Sequence, residues 1–258
     1  MTLRTDLLLD PFGGRVADAV TAAQAAEESG FDGIWTWDHL AGRVHGASHV
    51  LECWTLLTTI AAHTERVAVG PLVLNVANRE PGVVAVMAAT LQEASGGRLL
   101  LGIGAGGGPG TPYPEEQRAL GRTVPGDATR RAAVEHAVEV IRDVWSGRDG
   151  FLRPDPAPPI VIGGFGPKMA ALAGRLGNGF NTPASHPQLG ELIAIATRDH
   201  SGPDFVVTAS ASLSPRWVSE HSGQRARLRD LGVSRLILGV PAPYDSAQIR
   251  ALGGMLDR

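Results

Sequence analysis

One cysteine, Cys53, stands in 258 residues. A lone thiol excludes an intramolecular disulfide and a thiolate metal cluster, and it points to a cytoplasmic setting. Long apolar runs are also missing. Nothing reaches the roughly eighteen residues of a membrane helix, so no membrane partner is expected. The opening Met-Thr-Leu-Arg-Thr-Asp carries no apolar leader of the secretory kind. A surplus of one charge is absent too: 23 basic and 26 acidic residues leave a formal net charge of −3. With no Lys/Arg run standing out, no nucleic-acid partner is expected.

Glycine, by contrast, is plentiful, at 33 residues with no three-residue period. That excludes collagen and implies tight turns or close backbone approaches to a ligand. Hydrophobic residues make up 43%, enough for a folded core. The length matches the roughly 250 residues of a compact barrel, so residues 1–258 are read as one domain.

Strand and helix signals alternate along the chain. Strands are predicted at Leu3 to Leu9, Gly33 to Trp37, Arg66 to Leu74, Arg98 to Ile103, Pro159 to Gly163, Gly179 to Thr182, Asp204 to Ala209 and Arg235 to Val240. Helices are predicted at Val16 to Ser29, Trp54 to His63, Val83 to Ser95, Arg130 to Trp145, Pro167 to Leu176, Leu189 to Asp199, Trp217 to Leu231 and Ser246 to Leu256. Residues 109–127 read as a loop, too long for a routine connection. Several strands are nearly continuous apolar runs, as strands covered on both faces by crossover helices should be. Eight such units fit an α/β fold of the (β/α)8 TIM-barrel class, and an open doubly wound sheet is the competing architecture.

Barrel chemistry sits at the C-terminal strand ends. Asp38 and His39 follow the second strand, Asn75 and Asn78 the third, and Gly104 to Gly108 the fourth. Gly163 to Gly166 and Lys168 follow the fifth, Asn181 the sixth, and Ser210 and Ser212 the seventh. His39 is the acid/base candidate, because imidazole changes charge near neutral pH. A structural histidine, with Asp38 capping the next turn, is the plain alternative. His45 and His49 are near in sequence, but no carboxylate set completes a metal site, and none is expected. The run from Gly163 to Lys168 reads strand, glycine turn, helix start, with Pro167 in the first turn. Its free N–H groups and Lys168 suit an anion. It lacks the GxxxxGK[ST] pattern of a Walker loop. Trp35, Trp37 and Trp54 are read as lying around this pocket, the first two on the same side of their strand.

Several runs then carry a family resemblance. They are Ala26 to Trp35 leading to Asp38-His39-Leu40, Trp54-Thr55-Leu56-Leu57 leading to Thr64-Glu65-Arg66, Met87 to Leu91, Ser95 to Leu99, and Gly163 to Met169. In this order they resemble the luciferase-like monooxygenase superfamily, especially its coenzyme F420-dependent oxidoreductase branch. The resemblance runs from about Asp6 to Val240. It implies a barrel of the bacterial-luciferase-like type that binds F420, or alternatively FMN, over the strand ends. It implies His39 as acid/base or oxygen-binding group near the reactive ring. It also implies a bulge with a cis peptide at Leu72–Val73 behind the ring, with Asn75 beside it. By the same resemblance Asp38, Gly104, Ala105, Gly106, Gly163, Gly164, Gly166, Pro167 and Asn181 line the ring or the phosphate. A homodimer is implied as well.

Sugar-phosphate dehydrogenases of this group have a glutamate where this chain has Gly107, which argues against that substrate. The segment between Trp145 and Pro159 looks shorter than usual. The leading expectation is hydride transfer between F420 and a small organic substrate, with His39 moving the proton. An FMN-dependent monooxygenase and a non-catalytic cofactor-binding barrel are the alternatives.

Overall fold

Alternate residues of each strand meet two different environments, and this shapes the barrel. A computed structural model describes residues 2–198, 200, 202, 204–219 and 221–256. Met1, Asp199, Glu220 and the last two residues, which the sequence reading included, lie outside them. The strands are β1 Arg4–Leu9, β2 Gly33–Thr36, β3 Ala68–Pro71, β4 Leu74–Asn75, β5 Leu101–Gly104, β6 Ile160–Gly163, β7 Gly179–Pro183, β8 Val206–Ser212 and β9 Arg235–Val240. All named pairings are parallel, in the order β3-β2-β1-β9-β8-β7-β6-β5-β4. A parallel bridge between Val69 and Leu99 brings the two ends of the sheet together. The architecture is the (β/α)8 barrel rather than the open sheet.

The helices are α1 Val16–Glu28, α2 Cys53–Ala62, α3 Pro81–Ala94, α4 Glu115–Ala119, α5 Asp127–Val144, α6 Pro167–Leu176, α7 Leu189–Arg198, α8 Pro215–Val218, α9 Gly223–Asp230 and α10 Ser246–Gly253. Odd residues of β1, Leu7 and Leu9, join Ile34, Leu236 and Leu238 in the large core between sheet and helices. The even residue Leu8 packs with Trp35, Leu72 and Ile237 in a small separate cluster inside the barrel. Trp37 packs against that inner cluster too. The lumen also buries an ion pair, Arg235 Nη2 to Asp6 Oδ1 at 2.7 Å, and Trp35 Nε1 donates to Asp6 at 2.8 Å. Full pairing lets the two charges sit there. Gly33 makes the room: a Cβ on it would stand 2.9 Å from the Arg235 guanidinium.

Three sequence readings need correction. The third strand is two pieces, β3 and β4, because a cis peptide at Leu72–Val73 turns the chain between them. Residues 109–127 are not all loop, since Glu115 and Glu116 open the short helix α4, where acidic side chains suit the positive end of the helix dipole. The stretch Trp217 to Leu231 is not one helix. Ser219 takes an extended conformation after α8, and Ser222 caps the start of α9 by accepting from Gln224 N.

Candidate active site

The C-terminal strand ends enclose a cavity of about 800 Å³. The thirteen residues that the family resemblance puts at the ring, the phosphate or the proton step all border it: Asp38 and His39; Leu72, Val73 and Asn75; Gly104, Ala105 and Gly106; Gly163, Gly164, Gly166 and Pro167; and Asn181. Of the three tryptophans only Trp37 does so. Trp35 is fully buried in the lumen and Trp54 packs into the outer core, so neither is a cavity wall. Ser212, Gly108 and Asn78 also stay off the lining.

Asp38 spends its carboxylate on the protein. Oδ2 accepts from Asn75 N at 2.9 Å, Asn78 Nδ2 at 3.0 Å and Arg79 Nη1 at 2.9 Å, and Oδ1 accepts from Arg79 Nη2 at 2.9 Å. Arg79 also pairs with Glu52, and these two carboxylates hold its guanidinium firmly protonated against the pull of burial. Asp38 therefore ties β2 to β4 and to the start of α3 rather than capping the turn after itself.

His39 meets a partner that lies 77 residues away. Glu116 Oε2 stands 3.2 Å from His39 Nδ1 and accepts from Leu40 N at 2.8 Å. Burial works to raise the Glu116 carboxyl. The His39 hydrogen bond and the amides of Leu40 and Ala41 outweigh it and hold that carboxyl below its ordinary range. An ionised Glu116 assigns the proton to Nδ1. Nε2 then has no hydrogen-bond partner among the described residues, on a side chain that borders the cavity. Helix α4 is fastened to the β4–α3 segment: Gln117 Nε2 donates to Asn78 Oδ1, and Arg122 Nη1 donates to Ala77 O at 3.0 Å.

Around His39 the rings crowd. His45 stacks on Phe12 with centroids 4.0 Å apart, meets His39 edge-on at 4.8 Å, and stacks on Tyr113 at 5.7 Å. Burial lowers the His45 imidazole, and the neighbouring His39 lowers it further. Asp10 lies behind them with its carboxyl raised by burial, partly offset by the Phe12 amide and the two histidines. Gly107 has a steric reason: a Cβ there would fall 2.5 Å from the Tyr113 Cβ. Tyr113 thus uses the space that a side chain at 107 would need. Among the described residues, no three His, Cys, Asp or Glu side chains are arranged to hold a metal.

Arg130, Arg131 and Lys168, the chain's one lysine, supply the basic groups of the lining. Arg130 Nη1 donates to Ala105 O at 3.0 Å and to Gly106 O, and Nη2 pairs with Asp127 at 2.8 Å. Its Nε, and Oγ1 of Thr182, are buried atoms with no hydrogen-bond partner among the described residues, although both residues line the cavity. Buried donors of this kind are costly unless something meets them. In the first turn of α6 Pro167 has no N–H and the Met169 and Ala170 amides donate to Gly166 O, so the turn adds the Lys168 N–H and the positive helix end.

Glu116, Tyr113, Arg130 and Thr182 were missed from the sequence. The only pointer to the first two was the unusual length of the segment after the fourth strand. Arg130 read as an ordinary helix residue and Thr182 as a strand end.

The model of the family described as luciferase-like monooxygenase matches residues 4–229. The chain belongs to that family. Within the family it falls in the branch of F420-dependent oxidoreductases. An F420-dependent glucose-6-phosphate dehydrogenase of Beutenbergia cavernae is 31% identical over 261 residues, covering 90% of this chain and 75% of that protein. A 5,10-methylenetetrahydromethanopterin reductase of Archaeoglobus fulgidus is 34% identical over 177 residues, covering 63% of this chain and 48% of that one. The chain thus spans only about half the length of some of its curated relatives. A solved F420-dependent secondary alcohol dehydrogenase, in complex with an F420-acetone adduct, shares the fold with a TM-score of 0.83 at 19% identity, over 100% of this chain and 98% of that one. No helix among the described residues is long and apolar enough to cross a membrane.

Proposed function

We propose that this protein is an oxidoreductase that transfers a hydride between coenzyme F420 and a small organic substrate. One observation carries the reading: a single cavity joins a basic, anion-suited side to a His39–Glu116 pair whose free imidazole nitrogen borders the space. The residues present fit the cofactor. A flat ring finds the apolar bend at Leu72 and Val73, and an anionic tail finds Arg130, Arg131, Lys168 and the first turn of α6. Arg131, Lys168 and a helix end suit an anionic group, and the F420-dependent relatives favour F420 over FMN. When bound, F420 supplies two-electron hydride chemistry.

The chain's own residues do the rest. Leu72 of the inner cluster, with Val73 and Trp37 packed against that cluster, gives the floor an apolar surface. Glu116 holds His39 by Nδ1, leaving Nε2 to take a proton from an alcohol or, as imidazolium, to return one to a carbonyl. Asp38 acts at one remove, by fixing Asn75 at the cavity wall. One barrel unit, cytoplasmic residence and pairing of two copies belong to the same proposal. The buried free thiol of Cys53 suits a reducing compartment, and the exposed Val83 and Val86 on α3 suit a contact between copies.

Titrating the protein with F420 and, separately, FMN while following cofactor fluorescence tests the cofactor. Tighter F420 binding is expected. Tighter FMN binding would move the assignment to oxygen chemistry, and binding of neither would refute it. For His39→Ala we expect turnover to fall about 10²- to 10⁴-fold, the usual weight of general acid–base catalysis, with F420 affinity retained. Unchanged turnover would remove His39 from the proton step.

A further inference from the structure

The cavity is polarised in both charge and surface, and the two sides would suit different molecules. Its basic groups, Arg130, Arg131 and Lys168, come from the first turns of α5 and α6, on the β5–β6 side of the barrel. On the β2 side the lining is Trp37, Asp38, His39, His45, Tyr113 and Glu116, with no lysine or arginine among them. The full charge there is negative. The Glu116 side chain is 3% exposed, its carboxyl held low by His39 and two backbone amides. Asp10 stands behind the two imidazoles, near enough for its charge to act on both. An anion entering on this side would lose its water to meet a buried carboxylate, with no lysine or arginine in the lining to offset it, which is costly. The rings offer the opposite welcome. Tyr113 and Trp37 line this side with aromatic surface suited to a flat apolar molecule, and electron-rich rings tolerate a cation, while His45 is packed between Phe12 and Tyr113. Gly107 is what allows Tyr113 to stand there, because any larger residue would collide with its Cβ.

We propose that the β2 side selects a neutral or cationic substrate with a flat apolar body and rejects phosphorylated or carboxylated ones, with Tyr113 and Glu116 as the specificity-determining residues. The inference rests on the functional reading above in one respect: the basic side is taken by the cofactor, leaving the β2 side to the substrate.

Three probes of one shape and different charge test it: benzyl alcohol, benzylamine and benzyl phosphate, titrated calorimetrically into F420-saturated protein. Benzyl alcohol and benzylamine should bind at least tenfold more tightly than benzyl phosphate. Tyr113→Ala should weaken the first two about fivefold or more while leaving F420 affinity within twofold, and Glu116→Gln should narrow the gap to benzyl phosphate. Benzyl phosphate binding as tightly as benzyl alcohol would overturn the proposal. So would a Tyr113→Ala protein with unchanged affinity for benzyl alcohol. If F420 itself fails to bind, the functional reading is at fault and the same probes are titrated into protein without it. There Tyr113→Ala must still weaken benzyl alcohol and must leave benzyl phosphate, then free to use the basic side, unaffected. Any other result there sinks the inference.

Discussion

Replacing Asp38 by asparagine removes one charge and one acceptor from the knot that joins β2, β4 and α3. The Asp38 side chain is fully buried, and its two oxygens accept four hydrogen bonds, two of them from Arg79. An amide keeps one oxygen, but its NH2 must then face at least one N–H donor. Breaking a buried ion pair by removing one partner costs about 3–5 kcal/mol. Arg79 keeps Glu52, so the loss should lie near the lower limit, about 3 kcal/mol. At about 2–4 °C per kcal/mol for a chain of this size, Tm should fall by about 6–12 °C. Because Asp38 also accepts from the backbone N–H of Asn75 at the cavity wall, F420 should bind more weakly in the fluorescence titration. Glu28→Gln serves as the control: it loosens an exposed pair with Arg250, worth at most about 1 kcal/mol. An Asp38→Asn protein with Tm within 2 °C of wild type on the scale just given, and with unchanged F420 affinity, would refute this account of the knot.

Gly102→Ala should lower stability by about 1–3 kcal/mol or more, read by urea unfolding, because its Cβ would stand 2.0 Å from the Pro71 carbonyl oxygen where β3 and β5 run close. Cys53 should stay unreactive toward a thiol reagent until the protein is unfolded, since burial, reinforced by the Asp38 charge, pushes its thiol well up; rapid labelling of native protein would contradict this. Burial tends to raise the Glu27 carboxyl, but the amides of Arg66, Val67 and Glu65 hold it below its ordinary range. A lowered carboxyl adds stability that is complete above the unfolded value of roughly 4.3 and is lost as the pH falls through the folded value. Glu27→Gln should therefore flatten the acid side of the stability–pH curve, and an unchanged slope would count against it.

Much of the site could be read from residue order because a barrel collects strand ends in one place. Once Ile34-Trp35, Ile103-Gly104 and Ile162-Gly163 are strands, Asp38, Gly104 and Gly163 must share one mouth, however far apart they lie in sequence. The cis bond at Leu72–Val73 came by resemblance alone, since nothing in a run of β-branched residues signals it. Asp38 was placed at the cavity, but its service to Arg79 and Asn75 was not, because partner choice depends on distances that sequence spacing does not encode.

By itself the sequence determined the alternation of strands and helices, through apolar runs and glycine turns, and with it the family and the rim of candidate residues. Only the tertiary structure decided that Trp35 faces the lumen beside the Asp6–Arg235 pair while Trp54 faces the helices. It also decided that a segment reading as loop carries Glu116 back across 77 positions to His39. The physical reason is the same in each case. Periodicity records which faces of an element are buried, whereas the identity of a buried polar group's partner is settled by the packing of the whole chain.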